Sequence, residues 1–445
     1  MNLHEKKVVG CMTKLPTSTT IFASFQWLFF IFANTVVVPI SIGAAFDLPQ
    51  AEIASILRSS LIFTGIACFL QGSIGHRYPL MEGHSGVMWG LILNLCVTAS
   101  SLGMSLTAIG GGIATGMLLA GGFVILLGVL NLLKYLHRIF TPMVMSVYLF
   151  LLTFQLIIIF FTGMLKFTAD GSLHIPITLF SIGIVTLVSL LKIKGNTQIS
   201  NFSILIGMVV GWIFYLVLFP SENRITAESA AGLSIFPFGK PNLNIGIIAI
   251  TFLASLINLS NTIASVEAAS KLMNEKSTQK QLNRSYFLTG GYSIIAAVFG
   301  LVSYAPFASS IGFLESTRIF DRKPFLIGGA LLSIIGLVPM FGGLLATLPI
   351  TVGNAVLFVA YLQLFGTSLK SLNGYLFNSV TIHRIAIPVL LGLCIMNTDA
   401  AAFTNFPVFI QPLISNGFIM GVLLSIVLEK VVKWDTKKEQ GLKAG

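Results

Sequence analysis

The chain has 445 residues, 55% hydrophobic and 9% charged, a mean hydropathy of +0.92 and a formal net charge of +11. Soluble domains carry about a quarter charged residues, so these proportions exclude an ordinary soluble protein and define a polytopic membrane protein resident in a lipid bilayer. The basic residues sit between apolar runs rather than along one stripe, which argues against nucleic acid as a partner and makes them topology signals.

In chain order, a polar tail (residues 1–19) with Lys6, Lys7 and Lys14 precedes an apolar run too long for a signal-peptide core, which is read as a retained first span. Spans of about 20 residues start near residues 20, 52, 79, 105, 142, 175 and 200, giving a first seven-span repeat over 20–220. An external linker over 221–243 leads to spans starting near 244, 284, 304, 324, 347, 383 and 412, a second repeat over 244–432, and a polar tail at 433–445. Fourteen spans leave about 32 residues each, so no sizeable soluble domain is expected. The spans near 79 and 304 are short and polar. In the fourth span, Gly112 to Gly116 and Gly121-Gly122 read as close helix packing.

Basic loops are retained on the cytoplasmic side. With both termini inside, 22 of the 26 Lys and Arg fall on inner segments, Lys166, Arg224 and Lys240 fall outside, and Arg58 lies within the second span. The expectation is a multi-pass protein of the plasma (cell inner) membrane with both termini cytoplasmic.

Asn34-Thr35 in the first span recurs as Asn261-Thr262 in the eighth, 227 residues later, and the same spacing carries Pro79 onto Pro306 and Glu82 onto Ser309. Seven spans per unit is an odd number, so the second unit enters the membrane upside down, the inverted-repeat architecture of secondary transporters. The broken segments, Tyr78 to Gly86 in span 3 and Tyr304 to Gly312 in span 10, are then the expected binding elements, since non-helical backbone at membrane depth must line a cavity or be buried in protein.

Among the acidic residues, Glu82 is the one placed well inside the bilayer; Glu267, Glu315 and Glu429 fall at cytoplasmic helix ends, where solvation accounts for them. Glu82 can carry a proton, accept hydrogen bonds from a substrate N–H, or form a structural salt bridge to Arg77 or Arg58. His84 reads as a hydrogen-bonded buried histidine. Asn34 and Asn261 each offer a donor and an acceptor, which suits a substrate with amide-like edges and equally suits helix–helix bonding. Phe307 can stack on a flat ring. Cys11, Cys68, Cys96 and Cys394 are isolated and support neither a disulfide framework nor a zinc site. No HExxH, GxSxG, GxxxxGK[ST] or CxxC is present, so no enzyme activity, metal or organic cofactor is expected, and coupling falls to an ion gradient, protons first and sodium second, or to none.

The stretch Gln26-Trp27-Leu28-Phe29-Phe30-Ile31-Phe32-Ala33-Asn34-Thr35-Val36-Val37-Val38-Pro39 resembles the first span of the nucleobase:cation symporter-2 family, the nucleobase-ascorbate transporters, which include bacterial uracil and purine permeases. Pro79 to Ser85 is similar to that family's third-span P-x-x-[QE]-G-x-S element, Phe140-Thr141-Pro142 to the start of its fifth span, and Ser415-Asn416-Gly417 to its last. Its signature [QEP]-N-x-G-x(4)-T-[RKG] aligns with Ser309 to Arg318, where Gly312, Thr317 and Arg318 match and the first two positions do not. The overall pattern is closer to the purine branch than to the uracil one.

The resemblance implies an all-α 7+7 inverted repeat of about fourteen segments, divided into a core domain holding the site and a gate domain moving against it, with homodimerisation through the gate. It implies a substrate site at Asn34, Glu82, Ser85, Gly86, Asn261, Phe307 and Ser309, between the broken third and tenth segments. Asn261 replaces the family's eighth-span carboxylate, Ser309 its tenth-span carboxylate or amide, Ser265 a His or Asp one turn after Asn261, and Trp27 the first-span His. Glu82, as the extra carboxylate, is the candidate for proton coupling. The leading expectation is a proton-coupled permease for purine or related nucleobases. An anion carrier of the same fold, for sulfate or bicarbonate, is the first alternative, since half-helix N-termini favour anions. A non-transporting membrane sensor is a remote one.

Overall fold

The computed structural model describes residues 16–130, 139–168, 170–220, 232–307, 309–432 and 434, with the backbone alone at 197 and 198. The N-terminal tail to residue 15 with Cys11, Lys6, Lys7 and Lys14, the basic residues Lys134, Arg138 and Arg224, the linker over 221–231 and most of the C-terminal tail with Lys433, Lys437, Lys438 and Lys443 lie outside the described residues.

The expected first span is α1 (Thr17–Thr35) and α2 (Val37–Ala45), separated by a bend. Pro39 causes it: lacking an N–H, it cannot bond to the carbonyl of Thr35 and its ring crowds that turn. There follow α3 (Gln50–Ser73), strand β1 (Glu82–His84) leading into α4 (Gly86–Thr98), α5 (Leu106–Val129), α6 (Pro142–Met164), α7 (Ile175–Lys194) and α8 (Thr197–Leu218). The second half repeats the series as α9 (Ile245–Leu272), α10 (Gln279–Val298), strand β2 (Tyr304–Pro306) leading into α11 (Ser309–Thr317), α12 (Arg322–Leu337) and α13 (Pro339–Ala346), α14 (Ile350–Ser371), α15 (Ser379–Met396), and the short α16 (Gln411–Ile414) before α17 (Gly417–Val431). Among the described residues nine helices are long and apolar enough to cross a membrane, or ten if α12 and α13, bent by 87°, form one broken span.

The packing separates two bodies. One holds α1 to α5 with α9 to α13 and the ribbon: α3 packs on α12, α5 on α9 and α10, and α1 on α12. The other holds α6, α7, α8, α14, α15 and α17, with α6 on α14, α7 on α8 and α15 on α17, while the short α16 packs on α9 and α17 and so lies between the two. The main helix contacts recur between the halves: α3 on α12 mirrors α10 on α5, and α7 on α8 mirrors α15 on α17. Glycines let backbones meet at these crossings. A Cβ on Gly112 or Gly116 would press on Ile247 or Thr251 of α9, and one on Gly121 on the carbonyl of Gly290 in α10, as the close-packing reading requires, whereas Gly122 faces open space.

Two buried arginines hold helix ends. Arg58, 7% exposed, donates from Nε to the carbonyl of Gly336 (3.4 Å), a C-terminal carbonyl of α12 that the sharp bend leaves without a helical partner. Arg384 meets Glu429 through two bonds, Nε to Oε1 and Nη2 to Oε2, each 2.9 Å, while Thr141 donates to Oε2. This corrects the reading of Glu429 as a solvated helix end: it ties α15, α17 and the start of α6 together. Glu267 and Glu315 are exposed, as expected.

A side chain at Gly65 would collide with Ser333 and with the carbonyl of Gly329 on α12, backbone that cannot yield cheaply. Gly65→Val should therefore cost about 1–3 kcal/mol, read as a lowered melting temperature in detergent; an unchanged melting temperature would contradict the α3–α12 crossing.

Candidate functional site

Strands β1 and β2 pair antiparallel with the register Glu82↔Pro306, Gly83↔Ala305 and His84↔Tyr304. Antiparallel pairing of equivalent segments is what a twofold axis in the membrane plane requires. The ladder extends through the amide of Ser85 to the carbonyl of Ser303 and that of Phe307 to the carbonyl of Met81, both 2.8 Å. Constant spacing in the sequence matched Glu82 to Ser309; in the structure the residue heading β2 is Tyr304, and Ser309 instead opens α11 as Gly86 opens α4. The connection into β2 (299–303) is shorter than that into β1 (74–81), which is why a single spacing fails.

The outward-facing backbone groups of the ribbon are met by side chains. The amide and carbonyl of Glu82 bond to Sγ of Cys68 on α3 (3.3 and 3.4 Å). On the other edge, Asn258 and Ser265 of α9 donate to the carbonyls of Tyr304 (3.0 Å) and Pro306 (3.2 Å). Pro306 occupies an outward position, where its missing N–H takes nothing from the ladder.

Because side chains alternate along a strand, the ribbon has two unlike faces. Glu82, His84, Tyr304 and Pro306 share one; Met81, Gly83, Ser85, Ala305 and Phe307 share the other. On the first face Glu82 is 1% exposed. The basic side chain it meets is His76, Nε2 to Oε1 at 3.3 Å, rather than Arg77 or Arg58. The amide of Tyr78 donates to His76 Nδ1 (3.0 Å), so the ring proton is on Nε2 and is donated to Glu82. His84 bonds through Nε2 to Ser60 Oγ (2.6 Å), and Tyr304 Oη to Thr64 (3.0 Å).

The second face holds a directional network. Since a carbonyl only accepts, the Tyr304 carbonyl fixes the amide nitrogen of Asn258 toward it and leaves Asn258 Oδ1 as an acceptor. That oxygen receives Ser85 Oγ–H (2.6 Å) and Asn261 Nδ2–H (3.1 Å). Asn261 Oδ1 is thereby turned toward Tyr148 on α6, whose hydroxyl donates to it (3.1 Å). Ser85 also caps α4, accepting the amide of Met88 (3.4 Å), so a half-helix N-terminus with its positive dipole end opens at Gly86. Half-buried Gly86 lies against Leu152 and Leu156 of α6 and Tyr361 of α14, and Gln155 of α6 donates to the carbonyl of Gly90 (3.1 Å). This face is where the two bodies meet.

Of the candidate residues, Ser85 and Asn261 are joined by hydrogen bonds through Asn258, and Phe307 lies against Gly83, whose added Cβ would come within 2.7 Å of the ring. Asn34, Gly86, Asn261 and Phe307 are half-buried and Ser309 is exposed. Asn34 donates to the carbonyl of Phe30 in its own helix (2.8 Å) rather than to another candidate residue, and Ser309 stands exposed at the start of α11. Glu82 faces away from this group. Trp27 is enclosed by Phe30, Phe313 and Phe325, an apolar packing role. Sequence reasoning missed Asn258, Tyr148 and His76. Asn258, three residues before Asn261 and so on the same helix face, carried a signal; the other two are brought in only by folding.

Residues 18–401 match the family model of xanthine/uracil permeases, described as a permease family. The chain belongs to the xanthine/uracil permease family. Its members are transporters, not enzymes, and multi-pass membrane proteins. The chain is 28% identical over 438 residues to YwdJ of Bacillus subtilis (strain 168), a candidate purine permease, covering 95% of this chain and 98% of that one. It is 25% identical over 438 residues to the uric acid permease PucJ of the same organism, covering 94% and 93%. Among solved structures, the transmembrane domain of the cyanobacterial bicarbonate transporter BicA superposes with a TM-score of 0.59 at 17% identity, covering 90% of this permease and 96% of that domain, a likeness of fold. The fold is the 7+7 inverted repeat that the sequence led us to expect.

Gly83→Ala would place a Cβ within 2.7 Å of the Phe307 ring and 2.8 Å of the Met81 methyl, displacing both side chains on this face of the ribbon. Uptake should fall at least ten-fold, with the melting temperature in detergent kept within a few degrees; full uptake would show that the position of Phe307 is immaterial.

Proposed function

We propose that this permease carries a purine or related nucleobase across the plasma membrane by alternating access, most simply as proton-coupled uptake, with the site on the gate-facing side of the ribbon. The observation that carries this is Asn261. One N–H and one lone pair of its amide are taken by Asn258 and Tyr148, leaving one donor and one acceptor at a half-buried position. Such an amide suits a flat ring presenting a neighbouring N–H and C=O. Phe307 supplies a stacking surface and Asn34 and Ser309 further polar groups, while Ser85 and Gly86 bring the α4 N-terminus to the same side. The naming of relatives for purines and uric acid supports a nucleobase over the anion alternative.

Glu82 is proposed as the proton-coupling residue. Its place behind the ribbon, against His76, suits a group that alters the ribbon with its protonation better than one that touches the base. The positive-inside bias supports cytoplasmic termini, the repeat boundaries at 20–220 and 244–432 follow the duplicated element order, and a homodimer through the body of α6–α8, α14, α15 and α17 is the assembly family resemblance suggests.

The test is uptake of labelled xanthine, hypoxanthine, guanine, adenine, urate and uracil into proteoliposomes, with and without an inward proton gradient, for wild type and Glu82→Gln. Gradient-driven purine uptake, lost or uncoupled in Glu82→Gln, is expected. Uptake indifferent to both gradient and substitution would reject coupling through Glu82 and turn attention to sodium. Uptake of sulfate or bicarbonate in place of every base would reject the nucleobase reading.

A further inference from the structure

We infer that Tyr148 is a positioning residue carried by the gate: it sets the orientation of the Asn261 amide and so links substrate affinity to how the gate sits against the core. This rests on the reading of Asn261 as a substrate contact. Tyr148 lies on α6 and Asn261 on α9, so their 3.1 Å bond crosses between the two bodies. The ring of Tyr148 is fully buried and packs edge-on against Phe418 of α17 in its own body, at 5.8 Å between centroids, so the hydroxyl travels with the gate. Asn261, in contrast, is held to the core by Asn258, which is itself fixed by the Tyr304 carbonyl and shared with Ser85.

The terminal torsion of an asparagine side chain is soft. Anchored at Oδ1 by Tyr148 and at Nδ2 by Asn258, the amide holds its remaining N–H and lone pair in one direction; with Tyr148 withdrawn, a single bond holds it. Alternating access requires the gate to move over the core, so the Tyr148 bond exists in only part of the cycle. Substrate therefore meets a completed site in the docked arrangement and a loosened one outside it, and by linkage bound substrate favours docking.

Tyr148→Phe removes the hydroxyl and keeps the ring. Equilibrium binding of the best-transported base from the uptake panel should weaken about ten-fold, the worth of one hydrogen bond of about 1.4 kcal/mol, with the maximal exchange rate retained and the melting temperature of the substrate-free protein unchanged. Asn261→Ala should also weaken binding, and adding Tyr148→Phe to it should produce no further loss, because the hydroxyl would then have nothing to orient. Equal affinity of Tyr148→Phe and wild type, or additive losses in the double variant, overturns the inference while leaving the nucleobase reading intact. Wild-type affinity in Asn261→Ala rejects the site reading itself. A binding loss in Tyr148→Phe accompanied by a lowered melting temperature and a lost exchange rate assigns the hydroxyl a structural role and also overturns the inference.

Discussion

Everything at the centre of this molecule depends on satisfying six residues of extended backbone at membrane depth. Hydrocarbon offers no hydrogen bonds, and each unpaired backbone group there costs several kcal/mol. The two strands solve half of the problem by pairing with each other. The other half falls to side chains of the flanking helices: Cys68 on the edge of β1, Asn258 and Ser265 on the edge of β2, and Ser310, which accepts the amide of Met81 at 3.0 Å. These residues hold the ribbon where it is, and a rearrangement of the ribbon must first disturb them.

The same constraint explains why a chain so apolar keeps polar residues on particular helices. α10 is too polar to pass as a span by composition; its start is exposed, but the hydroxyl residues Ser285, Thr289 and Ser293 further along face inward, and Gln71 of α3 donates to the carbonyl of Ser285 (3.0 Å) and to Thr289 (3.3 Å). Where lipid would leave such groups unpaired, the pairing of α10 with α3 and α5 supplies partners. The repeat does not extend to the bonds that hold the ribbon: β1 is held from α3 through Cys68, whereas β2 is held from α9 through Asn258 and Ser265, so the two broken segments are satisfied from non-equivalent helices.

Much of this was legible in the sequence, because span positions depend on local hydropathy: starts expected near 142 and 175 are the helices beginning at Pro142 and Ile175, and the breaks in the third and tenth segments are the two strands. What failed was anything resting on partners distant in the chain. Glu429 read as a helix end until Arg384, 45 residues away, was found against it. His76 gave no sign that it would face Glu82. The match of Glu82 to Ser309 assumed equal loops, and loops are where an ancient duplication is free to drift. Of the candidate site, Ser85, Asn261 and Phe307 were legible as residue types in a repeated context, whereas the sidedness of the ribbon, which separates Glu82 from them, appears only once the register of the two strands is known.

That sidedness bears on how a carrier with an amide at position 261 and a hydroxyl at 309 could use a proton. A carboxylate beside the substrate feels the substrate directly, so protonation and binding interact through a shared contact. On the proposed reading, Glu82 is one strand thickness away, joined to the substrate side through backbone and through the bond its main chain makes with Cys68. A change of charge there would act by altering what holds β1 in place, and the ribbon would transmit it to Gly83 and Phe307 on the opposite face. Coupling would then reside in the position of a strand rather than in a shared hydrogen bond, and the neutral network of Ser85, Asn258 and Asn261 could recognise its ligand without itself changing protonation.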